Sequence, residues 1–191
     1  MAQEAADDER RHALLCQKAA ALFGGELDLE FDVELDELTQ ADVPLKLRVL
    51  HEVVAMSCIT ETLSAALLGE MLDHTRHPVV RETVHSILRD EIRHSRLGWA
   101  HLAGGISQED RAWLAAALPA MLADTVSDEL YLPPEADDVG VEIAQVGGLP
   151  RAVRRATIEG AALQVVLPGL EQSGIDTGSA RAWLAAAADR H

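Results

Sequence analysis

The stretch VVRETVHSILRDEIRHSRLGWAHLA (79–103) decides the fold. At 100° per residue a helix here puts Val80, Val84, Ile87, Leu88, Glu91, His94, Gly98 and Leu102 on one face, and Glu82, Arg89, Arg93 and Arg96 on the opposite one. Glu91 and His94 therefore stand inside the apolar stripe, where an uncompensated charge is costly. Glu82 and His85 have the same Glu-x-x-His spacing but fall on the arginine face, so they read as a solvated pair.

Working outward, the pentapeptide DEIRH (90–94) has a second copy, DERRH (8–12). One Glu-x-x-His is expected by chance at this composition. Adding the aspartate and the arginine lowers the chance of one copy to the order of one in several hundred. The N-terminal copy puts Glu9 and His12 on a stripe with Ala5, Ala6, Ala13, Cys16, Ala20 and Phe23. A third stripe, Leu47, Leu50, Val54, Ser57/Cys58, Glu61, Ala65, Leu68 and Leu72, is interrupted by the single carboxylate Glu61. Three helices thus aim carboxylates, two of them with a histidine one turn away, at a common core. Converging carboxylates and imidazoles repel one another unless cations neutralise them. Two divalent ions do this well, and the mixed oxygen and nitrogen donors suit iron or manganese better than zinc. The plainer alternative is a core histidine bonded to a protonated glutamate.

Helix signals place three segments at about 2–23, 44–73 and 79–103. Gly24-Gly25 and Gly104-Gly105 act as stops and Pro44 as a start. The turn before Pro78 is short, so the second and third helices form an antiparallel hairpin. The acidic stretch 26–42 is long enough to cross a bundle, which lets the first two helices run parallel. Residues 106–191 read as a C-terminal helical extension packing on the 1–105 bundle: a helix capped by Ser107 and Asp110, a loop over 133–150, and helices at about 151–172 and 179–190. The heptapeptide RAWLAAA occurs at 111–117 and again at 181–187, and it reads as packing.

Alanine and leucine supply 58 of the 191 residues and aromatics only six, which favours an all-α fold with close helix approach. The formal charge of −16, with only two lysines, argues against nucleic acid or an anionic membrane as partner. Cys16 and Cys58 cannot make a disulfide framework, and neither a signal peptide nor an apolar run of about 20 residues is read. A soluble cytoplasmic protein is therefore the expectation.

The ligand pattern Glu9/His12, Glu61, Glu91/His94 resembles three of the four elements of the ferritin-like di-iron carboxylate superfamily: Glu-x-x-His, Glu and Glu-x-x-His. The run 60–100 is also similar to bacterial ferritin-like proteins of undefined function. The resemblance implies a helical bundle with one long crossover, a site for two iron or manganese ions, and hydrogen bonds accepted by Asp8 and Asp90 from metal-bound histidines. It also implies a first-helix glutamate about 30 residues before Glu9, a place this sequence does not contain. Met1 not being the natural start, a homodimer or partner helix, or the C-terminal region would each account for that. Glu159 on the stripe Ala152, Ala156, Ala162, Leu163, Val166 and Leu170 is the candidate sixth ligand.

Two functions are compatible with these residues. One is a metal-binding oxidoreductase reacting with oxygen or peroxide, or oxidising iron. It would be fed by an external electron donor, with Tyr131 too far along the chain for a radical role. The other is a non-catalytic, incomplete bundle serving as an interaction or scaffold module. Among the remaining histidines, His101 is an outer-shell candidate, while His51, His74, His77, His85 and His191 read as solvated.

Overall fold

The computed structural model describes residues 2–25, 43–131 and 141–188, all helices and short turns. The expected 26–42 crossover and the centre of the 133–150 loop lie outside the described residues, as do the side chain of Tyr131 and His191. Helix α1 spans Ala2–Ala21. Helix α2 runs continuously over Leu45–His74, and α3 over Pro78–Ala103. Helix α4 is Gln108–Tyr131 and the single turn α5 is Val141–Ala144. Helix α6 covers residues 151–172, and α7 is Gly178–Ala188.

Sequence signals explain the boundaries. Past α1, Gly24 takes a φ of +77°, a left-handed conformation open to glycine, so that the Gly25 amide can turn back to the Ala20 carbonyl at 3.1 Å. Pro44 precedes α2, and Pro78 opens α3 where no amide donor is needed. The start of α4 is a reciprocal capping box: the Asp110 amide donates to Ser107 Oγ and the Ser107 amide to Asp110 Oδ2, each at 3.1 Å.

Two wide turns punctuate the long helices. In α2, Val53–Thr60 is π-helical and the Glu61 amide bonds to the Met56 carbonyl five residues back. In α6, Ala162–Val166 does the same. Each widened turn takes in extra residues and rotates the remainder of its helix relative to a simple 100° count. This corrects the expected α2 stripe: past Glu61 the fully buried side chain is Leu63, whereas Ala65, Leu68 and Leu72 are half-buried.

Helix α3 is the centre of the site-bearing layer, with α1 on one flank and α2 on the other. Cross-helix pairs run in opposite order on both flanks (Asp8 with His94, His12 with Asp90; Thr62 with Trp99, Leu72 with Arg81), so α1 and α2 are parallel to each other and antiparallel to α3. Helices α2 and α3 approach closely at Gly98, where an added Cβ would sit 2.7 Å from Ser57 Cβ and 2.8 Å from Cys58 Sγ.

One hydrophobic cluster joins α2 (Leu50, Val54, Ile59, Leu63) to α4 (Leu114, Leu118, Met121, Leu122), α6 (Ile158, Val166, Leu170) and α7 (Leu184). The C-terminal region therefore shares its core with α2. Helix α1 contributes no side chain to that cluster, and its expected stripe is mostly open: Cys16 is exposed and Phe23 is 55% exposed. Helix α2 is long and apolar enough to cross a membrane by length and composition alone. That qualifies the expectation that no run approaches a span.

Candidate metal centre

Because α1 lacks hydrophobic anchorage, its contact with α3 is polar and built from the two DExRH copies. His12 Nε2 lies 3.2 Å from Asp90 Oδ2, and His94 Nε2 lies 3.1 Å from Asp8 Oδ2. Each aspartate thus serves the histidine of the other motif. The motif arginines complete the exchange: Arg11 donates to Asp90 and Ser86 across the interface and to Asp8 on its own helix, while Arg93 donates to Asp8 across it. Asp90 is 1% exposed, and a carboxylate so buried needs these partners.

That clamp sets the electrostatics. The His94 hydrogen bond, aided by Arg11 and Arg93, holds Asp8 down at about 2. Burial alone would raise Asp90, but the hydrogen bonds from Arg11 and His12 overcome it and keep the carboxyl below its usual range. With an ionised aspartate accepting at Nε2, each imidazole carries its proton there and turns the Nδ1 lone pair inward.

The groups facing those lone pairs define the chemistry of the site. His12 Nδ1 is 3.4 Å from Glu9 Oε2 and 3.4 Å from Glu91 Oε1. His94 Nδ1 is 3.4 Å from Glu9 Oε1 and 3.9 Å from Glu61 Oε1. Both Nδ1 atoms are sealed from solvent without a hydrogen-bond partner. A lone pair against a carboxylate oxygen is repulsive unless a proton or a metal cation lies between them. Separations of this size are those of neighbouring ligands around one ion at bond lengths of ~2.0–2.2 Å.

Two three-ligand groups result, Glu9/His12/Glu91 and Glu9/Glu61/His94, with Glu9 offering one oxygen to each. Glu61 is pushed up to about 9, first by burial, then by its hydrogen bond with Glu91 and the charges of Glu91 and Glu9. Without a cation, the carboxyls hold a proton in the cation's place. These orphaned nitrogens and crowded carboxylates fit a pair of divalent ions.

All five expected ligands come together, and the two aspartates take the hydrogen-bonding positions expected of them. Burial differs from expectation at Glu9, whose side chain is 55% exposed because no described helix covers the outer face of α1. Glu159 is not brought to the cluster; it accepts from Arg155 Nε at 3.1 Å on the surface of α6, one turn away along the same helix. His101 is exposed and away from the ligands, Glu82 and His85 are exposed as expected, and His51 is buried beside Trp113 rather than solvated. The roles of Arg11 and Arg93 do not follow from a helical count, which puts Arg93 on the solvent face. Their presence in both repeat copies was the available signal.

Fold and site together define an all-α protein with a partly buried carboxylate and histidine cluster drawn from three helices. No protein-family model matches the chain, and neither a curated protein nor a solved structure is significantly similar to it.

Proposed function

We propose that this is a ferritin-like metal-binding protein whose cluster holds two iron or manganese ions. Glu9 would be shared between the ions, Glu91 and His12 would hold one, and Glu61 and His94 the other. The observation that carries this reading is the pair of buried, partnerless Nδ1 atoms turned onto carboxylate oxygens. Redox-active ions in such a donor set supply electron transfer to dioxygen or peroxide together with Lewis acidity, which supports an oxidoreductase or an iron-oxidising role served by an external electron donor. The chain's own part is positional: Asp8 and Asp90 fix the histidine tautomers, and Arg11 and Arg93 hold those aspartates ionised. The exposure of Glu9 supports completion of the bundle by a helix from a second copy or a partner.

The same exposure, with Leu14 and Phe23 each 55% exposed on α1 and the turn after it, favours a second reading, a non-catalytic scaffold. Metal analysis after anaerobic loading with Fe(II) or Mn(II) and desalting separates the two. Near two ions per chain in the parent, falling in Glu61→Ala and Glu91→Ala, is the expected result. No metal in the parent chain overturns the metal-binding function.

A further inference from the structure

Away from the metal centre, the two RAWLAAA copies lie on α4 and α7, which pack on each other through Leu114, Leu118 and Leu184. Their leading arginines meet different surroundings. Arg181 is satisfied within the chain, with Nε 3.0 Å and a terminal nitrogen 2.8 Å from Glu171 Oε1, which also accepts from Thr177. Arg111 is half-buried, its Nε is sealed from solvent with no acceptor, and no described carboxylate lies within ion-pair distance of it. Asp176, which lines a neighbouring pocket with Arg111, accepts the Gly178 amide through Oδ1 at 2.8 Å and makes no ion pair with Arg111.

Where Arg181 has a carboxylate, Arg111 has a cleft of about 740 Å³ between α3, α4 and α6. That volume lies within the range of ligand sites. Its lining mixes donors from Arg111, Gln164 and Gln172 with apolar surface from Trp99, Val165 and Pro168. Val165, 51% exposed, is one of the large apolar side chains the fold leaves open. The sealed Nε packs beside Gly174, so it is the remainder of the guanidinium that lines the cleft, and an anionic oxygen pair is the best-matched partner of that planar fork. The chain's charge of −16 disfavours polyanions, leaving a singly charged head as the suitable one.

We propose that this cleft binds a small organic carboxylate, its head on Arg111 and its apolar body against Trp99, Val165 and Pro168. The cleft shares no lining residue with the carboxylate and histidine cluster.

Isothermal titration of the full chain with 1-naphthoate and with the uncharged 1-naphthalenemethanol tests this, in the parent, Arg111→Met and Arg181→Met. Saturable naphthoate binding at least tenfold tighter than the alcohol is expected in the parent and in Arg181→Met. The preference should vanish in Arg111→Met. Absence of saturable binding in the parent, or equal preference in Arg111→Met, overturns the proposal. Thermal melts supply a second readout. Arg111→Met should melt with the parent while Arg181→Met melts lower, and a comparable loss in Arg111→Met would make Arg111 a structural residue and also overturn the proposal.

Discussion

Glu61 is the residue on which opposing requirements meet. In the metal-free chain its carboxyl titrates at about 9, raised by burial and by Glu91 and Glu9. A folded value above the unfolded one contributes stability at low pH that is lost as pH rises from the unfolded carboxyl range towards 9. Glu61→Gln, neutral at every pH, is therefore expected to stabilise the metal-free protein near pH 8 by on the order of 1–3 kcal/mol, the cost of a poorly satisfied buried group, and to flatten the pH profile. Urea denaturation of both forms between pH 5 and 9 measures this, and parallel profiles would contradict it. Asp90 behaves in the opposite sense. It is buried and held ionised by Arg11 and His12, so Asp90→Asn should destabilise the fold by about 1–3 kcal/mol and weaken metal affinity by roughly tenfold to a hundredfold. At this scale the sequence was informative. Counting faces is enough to find Glu91 and His94, but not the exposure of Glu9, because counting reveals which face a residue shares and not whether another helix covers it.

At the scale of elements, α1 differs from every other long helix in lacking a place in the hydrophobic cluster. It is held on α3 by hydrogen bonds and ion pairs, and in the proposed function by shared metal ligands. Elements with few buried apolar contacts open locally at low cost. Metal loading is accordingly expected to slow amide hydrogen exchange across residues 5–15 far more than across α4, and equal protection in loaded and unloaded protein would contradict a ligand role for Glu9 and His12. The α2 and α3 pair is the reverse case, tightly packed at Gly98. Gly98→Ala would force its Cβ against Ser57 and Cys58, and an overpacking loss of about 1–3 kcal/mol should appear as a lower melting temperature. Helix limits and the antiparallel hairpin were legible from Gly-Gly, Pro44 and Pro78. The π-helical turn before Glu61 was not, because its extra residues leave no mark on an apolar pattern and only shift the register after it.

On the scale of the whole molecule, one core spans α2, α4, α6 and α7, while the candidate site lies at the edge where α1 and α3 meet. That arrangement was only half legible. The repeated pentapeptide showed that two helices must face each other, and the C-terminal region read as packing on the bundle, but its Ala-rich pattern did not single out α2 as the helix whose core it shares. Packing also separates the two thiols. Cys58 is fully buried and pushed up to about 12 by burial, whereas Cys16 is exposed. A thiol reagent at pH 8 should therefore label one cysteine per native chain and two after denaturation, and labelling of both in the native protein would contradict this packing. The proposed function turns on the two inward Nδ1 atoms being metal ligands. Anomalous diffraction at the metal absorption edge, from crystals of loaded protein, tests it most directly. Two peaks flanking Glu9 are expected, one within bonding distance of His12 Nδ1 and one of His94 Nδ1. Loaded crystals with no peak at either nitrogen would contradict the assignment.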